Sequence, residues 1–346
     1  MTVLAPRPEP DMERRAALPR LDPVTRLPIL ILYPHSRCNC RCLMCDIWRD
    51  RNRQEISAAD VAGWIAEWRA LGVRRVVLSG GETLLHSHLW DLCGLLKDEG
   101  IGITVLTTGL LLARDADPLA FYCDDVVVSL DGPREVHDRI RNVPGAFDRL
   151  AEGIAALRAA GPDVAVTGRC TVQRANFREL RATVAAAREL GLDRLSFLAA
   201  DVTSEAFNRP GGWDSNRASE VALRREDLPL LAAELDSLDP ADGFIAEDPG
   251  KLRRRLLQYF AALAGEGDFA PVDCNAPWVS AVVEADGTVR PCFFQPPLGN
   301  LRETGSLDAL LNSPEAIAWR RGLDTRRDEI CRHCVCSLSL REETAP

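Results

Sequence analysis

The sequence predicts an α/β fold built on parallel strands, a doubly wound sheet or a full or partial barrel, from three observations. A strand-then-helix alternation begins near residue 27 and repeats six times. Its strand segments are short, continuous and rich in β-branched residues and leucine, the pattern of strands covered on both faces. Consecutive β-α units of this kind join parallel strands through right-handed crossovers.

Residues 1–26, proline-rich and polar, read as a flexible leader. The strand segments are Leu27–Tyr33, Arg75–Ser79, Gly102–Thr107, Asp125–Leu130, Val164–Val172 and Arg194–Ala199. Amphipathic helices fall between them: Ile56–Leu71 with Ser57 as N-cap, Leu89–Glu99, a short one at Pro118–Tyr122, Phe147–Ala160 and Phe177–Leu190. After Asp201 the alternation breaks into the polar stretch Thr203–Ser219, which reads as a linker or lid, and helices at Arg225–Leu238 and Pro249–Ala264 follow. The remainder predicts a hairpin, Val279–Val283 with Thr288–Cys292 around Asp286-Gly287, then a helix near Ser306–Gly322 and a cysteine-dense tail. The domains expected are thus 1–26, 27–201, 202–265 and 266–346.

Composition narrows the function. With 346 residues, 46% hydrophobic and 27% charged, the chain is long enough for about two globular domains. A net charge of −9 argues against a nucleic-acid partner, because phosphate binding needs a basic face. No apolar run reaches the ~18–20 residues of a membrane-spanning helix, and the N-terminus lacks a secretory h-region, so a cytoplasmic location without membrane contact is expected.

Cysteine is the unusual residue, twelve in all. Four lie within Cys38–Cys45 and five within Cys274–Cys336; Cys93, Cys123 and Cys170 stand alone in apolar segments and read as small buried residues. Clusters at short spacing without an export signal point to metal ligation. Cys38, Cys42 and Cys45 follow the first strand with C-x3-C-x2-C spacing, which suits a zinc knuckle or three irons of a [4Fe–4S] cluster with the fourth left open. The C-terminal end of a strand is where parallel α/β folds place their sites.

With Cys42–Trp48 (CLMCDIW), this motif resembles the radical S-adenosylmethionine (SAM) superfamily. Later strand ends add to the likeness: Ser79-Gly80-Gly81-Glu82, Thr107-Thr108-Gly109 and Ser129-Leu130-Asp131-Gly132, then His137-Asp138-Arg139-Ile140-Arg141. The resemblance covers about residues 27–200. It implies a partial (β/α)6 TIM-type barrel, with SAM chelated to the open iron of a cluster on Cys38, Cys42 and Cys45. Met44 takes the place that usually packs on adenine. Gly80, Gly81 and Glu82 match the motif that binds the methionine amino group, although Thr83 replaces the usual proline. Thr108, Ser129 and Asp131 fall at cofactor-binding turns, Ser129 toward the ribose, and Arg141 or Arg169 pairs with the SAM carboxylate. Cys40 lies outside the ligand pattern.

Cys274, Cys292, Cys331, Cys334 and Cys336 resemble the SPASM/twitch extension of these enzymes, a small α+β domain with a hairpin. The full domain has seven cysteines and two clusters; five cysteines resemble the one-cluster twitch form. The resemblance implies one auxiliary [4Fe–4S] cluster on Cys274, Cys292, Cys331 and Cys334, with Cys336 spare. A four-cysteine zinc ribbon is the alternative.

The resulting expectation is an enzyme of oxidoreductase type that cleaves SAM reductively and takes hydrogen from a substrate, with a flavodoxin- or ferredoxin-type electron donor. A small metabolite (a sugar, aminocyclitol or nucleoside) ranks ahead of a ribosomally made peptide, since the leader holds no peptide-binding domain; a partner protein carrying one cancels that argument. A non-catalytic iron–sulfur or zinc scaffold is the remote alternative. Substrate contacts are expected from Thr171, Gln173, Asp201 and the loop 208–214, with Asp201 as candidate catalytic group.

Overall fold

Strand pairing in the computed structural model follows chain order through the first half of the molecule, which is described over residues 17–239 and 242–341. Strands β1 (Ile29–Leu32), β2 (Arg75–Leu78), β3 (Gly102–Thr107), β4 (Asp125–Ser129), β5 (Ala165–Val172) and β6 (Arg194–Ala199) each pair in parallel with the next. Each predicted strand is found within two residues of its expected ends. The crossovers carry α1 (Ala58–Ala70), α2 (Leu89–Asp98), α3 (Ala116–Tyr122), α4 (Arg134–Arg141), α5 (Ala146–Ala160) and α6 (Leu180–Glu189). Ser57 caps α1 as expected: its hydroxyl accepts from the Asp60 N–H while the Asp60 carboxylate accepts from the Ser57 N–H. One apolar stripe of α1, Val61, Trp64, Ile65 and Trp68, is buried in the main core. Helix α4 is absent from the sequence prediction because it is mostly charged; it buries only His137, Ile140 and Arg141.

The sheet does not end at β1. Strand β7 (Ser280–Val283) pairs with β1 in parallel, Ile29 opposite Ser280. Strands β8 (Thr288–Arg290) and β9 (Gly299–Asn300) continue antiparallel, giving the order β6-β5-β4-β3-β2-β1-β7-β8-β9. The predicted hairpin is therefore present, but the C-terminal segment extends the barrel sheet instead of standing apart from residue 266 onward. The reason lies in β1, all four of whose residues are buried: without β7 its outer edge would leave backbone donors and acceptors unpaired. Ile29, Ile31, Val77, Trp278, Val282 and Leu338 form a shared core across the join.

Three other expectations are corrected. The predicted lid 203–219 runs into a helix at Ser215–Val221, whereas the predicted helices 225–238 and 249–264 are found, the first as Leu228–Asp236 and the second from Pro249 to Leu263 with a π-helical stretch, Arg253–Gln258, in its middle. The predicted helix 306–322 is two, Leu307–Leu311 and Pro314–Gly322, because Pro314 cannot donate into a continuing helix. The described part of the leader is anchored at points along its length: Leu18 and Val24 are buried, and the Leu18 N–H donates to the Leu340 carbonyl. Residues 1–16 lie outside the described residues. Asp22 of this segment accepts from Nε of Arg320 at 2.6 Å, and the Arg320 side chain is fully buried. Removing one partner of a buried ion pair costs about 3 kcal/mol or more. Asp22→Ala is expected to lower the unfolding free energy by about that amount, read as a shift in urea midpoint.

Candidate functional site

The loop carrying the first cysteines leaves β1 and crosses the C-terminal ends of the strands, and contacts from three directions fix it there. Gly81 lies directly beneath it. A Cβ at that position would stand 2.1 Å from the Arg37 carbonyl oxygen, so only glycine admits the loop. The Glu82 N–H donates to that carbonyl at 2.9 Å, and His35 Nε2 lies 2.6 Å from the Glu82 carbonyl. From α4, the carbonyls of Arg141 and Ile140 accept from the N–H groups of Arg41 and Leu43. From the segment after β6, the Phe207 carbonyl accepts from the Asp46 N–H, Asn208 Nδ2 donates to the Asp46 carbonyl, and Trp213 Nε1 donates to Asp46 Oδ2 at 2.7 Å.

Held this way, Cys38, Cys42 and Cys45 line one cavity of about 190 Å³. Met44, Gly80, Gly81, Thr108, Ser129, Arg141 and Arg169 line the same cavity, as do Thr171 and Asp201. Ser129 and Arg169 are register partners on β4 and β5. Cys40 lies off the wall, and its thiol hydrogen-bonds to Cys42. That bond, with the neighbouring Arg141 guanidinium, draws the Cys42 thiol below its ordinary value. Arg141 Nη1 lies 3.5 Å from Cys42 Sγ, and its Nε, fully enclosed, has no hydrogen-bond partner among the described residues.

Two residues expected on the cofactor stand behind the wall. Glu82 is fully buried, and its carboxylate already accepts from Leu84 N–H, Thr107 Oγ1, Thr108 N–H and Thr108 Oγ1, at 2.5–3.0 Å. Burial nonetheless raises its pKa. Asp131, equally buried, binds Arg141 Nη2 at 2.6 Å and the Thr171 N–H at 2.9 Å. Each therefore reaches the cavity through a neighbour, Glu82 through Thr108 and Asp131 through Arg141. Asp201 differs from its expected role as well. Its carboxylate pairs with buried Arg209 at 2.7 Å and accepts from Ser204 Oγ and the Thr203 N–H, which makes it the anchor of the loop after β6. Gln173 is buried away from both cavities described here.

A second, larger cavity of about 840 Å³ opens beside the first. Ile47, Gly80, Gly81, Asp201, Phe207 and Phe293 belong to both. Phe207 and Phe293 stand at the junction with ring centroids 4.8 Å apart. Phe207 and Asn208 both have left-handed backbone, φ 62° and 60°, a conformation costly for such side chains and held here by the contacts to Asp46. The sequence gives no sign of this turn; the contact between Asp46 and Trp213 spans 167 residues.

The tail cysteines gather at the far side of this cleft, with Cys334 on its wall. Cys274 and Cys292 pack against the shared core. Burial, with Cys334 and Cys274 nearby, pushes the Cys292 thiol up to about 12; burial, with Cys274 nearby, does the same to Cys334. The Cys331 thiol is likewise raised, mainly by burial, with Cys292 among its neighbours. Cys292 thus neighbours Cys274, Cys331 and Cys334, while Cys336 lines the smaller cavity beside Val335. Among the described residues no three His, Cys, Asp or Glu side chains are gathered as a single-ion site. The fit to clusters rests on the donor sets: two groups of thiols, one of three on a shared wall and one of four.

Residues 32–187 match the radical SAM superfamily, and residues 274–335 match an iron–sulfur cluster-binding domain of SPASM type. The chain thus carries a radical SAM domain and, at its C-terminal end, a SPASM domain, the domains that bind SAM with a [4Fe–4S] cluster and auxiliary iron–sulfur clusters respectively. An AdoMet-dependent heme synthase of Methanosarcina barkeri is 31% identical over 177 residues, 49% of each chain. The present chain thus spans about half the length of that relative. A PqqA peptide cyclase of Ruegeria pomeroyi is 28% identical over 310 residues, 86% of this chain and 77% of its own. The fold is shared with a solved structure of anSMEcpe with bound AdoMet and a Cp18Cys peptide, at a TM-score of 0.62, 20% identity and 92% coverage of both chains. No helix among the described residues is long and apolar enough to cross a membrane.

The placement of Glu82 generates a test. Glu82→Ala leaves the Thr108 N–H buried without an acceptor, a cost of about 1–3 kcal/mol. Unfolding stability is expected to fall by that amount without SAM present, together with SAM affinity measured by calorimetry. Loss of affinity with unchanged stability would instead make Glu82 a direct acceptor for the ligand.

Proposed function

We propose that this chain is a radical SAM enzyme that modifies a ribosomally made peptide. The observation that carries the reading is the pair of joined cavities, a small one walled by three thiols that opens into a cleft bordered by the second cysteine set. The peptide reading, second at the level of sequence, is favoured by the peptide cyclase that aligns along 86% of this chain, and by the peptide-bound neighbour of the same fold. The argument for a metabolite drawn from the leader loses its weight, since a partner protein can carry a peptide-binding function.

When bound, the cluster and SAM supply a 5′-deoxyadenosyl radical for hydrogen abstraction. The chain's own residues divide the remaining tasks. Cys38, Cys42 and Cys45 hold three irons. Gly80 and Gly81 let the backbone approach the methionine part of SAM, Met44 packs on the adenine, and Ser129 meets the ribose. Arg169 and Arg141 face the carboxylate, the latter oriented by Asp131. Glu82 sets the Thr107-Thr108 turn. Cys274, Cys292, Cys331 and Cys334 hold the auxiliary cluster; ligation by four thiolates leaves no open iron and suits electron uptake, hence net oxidation. A flavodoxin- or ferredoxin-type donor supplies the first electron. Asp201 is a positioning residue that holds Phe207 at the junction through Arg209.

Two measurements test this. Anaerobic reconstitution is expected to give about eight irons per chain, falling to about four when Cys38, Cys42 and Cys45 are all replaced by Ala. Four irons in the intact chain with zinc in the tail would remove the auxiliary cluster. Asp201→Asn is expected to keep its iron and its uncoupled cleavage of SAM under dithionite while losing product; normal turnover would show that the loop needs no such anchor.

A further inference from the structure

The larger cleft has a charge pattern that the joined-cavity reading does not use. Among the described residues only two arginines line it, and no lysine. Both are matched: Arg209 by Asp201 at 2.7 Å, and Arg290 by Glu284, also at 2.7 Å. Four further carboxylates on the same wall, Asp50, Glu205, Asp286 and Glu329, have no ion-pair partner among the described residues. They come from four separate segments: the turn after the cysteine loop, the loop after β6, the β7–β8 turn and the start of the helix Glu329–Arg332. All four side chains are partly or fully exposed, so they form the rim.

Deeper in, the character changes. The rings of Phe207, Phe293 and Phe294 lie within 4.8–6.3 Å of one another, and Tyr33 meets Phe293 edge-on at 5.9 Å. The Tyr33 hydroxyl is fully enclosed yet has no hydrogen-bond partner among the described residues, although Tyr33 lines the cleft. A buried hydroxyl left without a partner in the free protein points to a polar group arriving with a ligand. An anionic substrate, such as a nucleotide or a carboxylate-bearing tetrapyrrole, would have to cross the acidic rim against repulsion.

We infer that the cleft selects a substrate carrying an ammonium or guanidinium group next to an aromatic or aliphatic side chain, in the proposed peptide a Lys or Arg beside an apolar residue. The cation sits among the four rim carboxylates, the apolar side chain packs on the phenyl rings at the throat, and the Tyr33 hydroxyl takes a backbone polar group. The inference rests on the peptide reading above for the form of the substrate, but its charge follows from the cleft alone. An amino sugar or aminocyclitol offers the same ammonium chemistry.

The test uses reconstituted full-length protein with SAM bound and three probes: acetyl-Ala-Phe-Lys-Phe-Ala-amide, the same peptide with Glu for Lys, and 2-deoxystreptamine. The Lys peptide is expected to bind at least about tenfold more tightly than the Glu peptide at low salt, the preference shrinking as salt rises. The variant D50N/E205Q/D286N/E329Q should lose that preference. A control with equal charge removed from exposed positions outside both cavities, D98N/E152Q/E189Q/E315Q, should keep it, which separates the cleft from the net charge of the chain. Iron content and unfolding midpoint verify that both variants fold. Equal binding of the two peptides, no binding by any probe, or a preference that survives in the cleft variant overturns the inference. Charge-dependent binding of 2-deoxystreptamine without binding of the Lys peptide upholds the charge selection and overturns the peptide reading. Failure to cleave SAM under dithionite overturns the proposed function and leaves the binding comparison to stand by itself.

Discussion

Everything at the strand ends depends on a contact that only a hydrogen atom permits. The α-carbon of Gly81 meets the Arg37 carbonyl so closely that a methyl group would lie 2.1 Å from the oxygen. The next residue, Glu82, closes the contact with its own N–H and then turns its side chain the other way to gather four donors from two further turns. One tripeptide thereby joins the cysteine loop after β1, the start of the segment after β2 and the turn after β3. The chemistry of that corner is inherited from this packing. Thiols at C-x3-C-x2-C spacing can face one cavity only if their loop is pressed onto the sheet, and a loop this polar would not lie there without fixed donors and acceptors.

The second organising feature is that buried charges serve as fasteners. Asp131 with Arg141, Asp201 with Arg209 and Asp22 with Arg320 each place a largely or fully buried arginine against a carboxylate at 2.6–2.7 Å. Such pairs contribute little net stability compared with apolar packing, but they specify geometry, because a misplaced partner leaves a charge stranded. They occur where the chain has no regular structure to fix it: beside the cysteine loop, in the loop after β6 and along the described part of the leader.

The sheet was legible in the sequence because parallel strands covered on both faces are rich in β-branched and other apolar residues, and six such runs stand out between amphipathic helices. The C-x3-C-x2-C motif was legible for a similar reason, since its spacing is local, whereas the tail set, spread from Cys274 to Cys334, was implied by the family resemblance. What escaped was non-local or masked by charge. Helix α4 is too polar to show an apolar stripe, though its few buried residues include Arg141. The parallel addition of β7 to β1 joins residues 29 and 280, and no local pattern announces it. Glu82, Asp131 and Asp201 were singled out in the sequence as residues of the site. Their carboxylates are spent on other protein groups, and a motif read in one dimension cannot tell a residue facing a ligand from one standing a layer behind it.

The continuity of the sheet across β1 and β7 has a mechanical meaning. The ladder that runs through β1, just before the three-cysteine loop, continues into β7 and β8, and β8 ends just before Cys292. The segments that lead into these two cysteine-bearing loops thus belong to one sheet. Any motion at the strand ends falls to the loops, above all to the strained turn at Phe207 and Asn208, and not to the ladder that joins the two halves of the sheet.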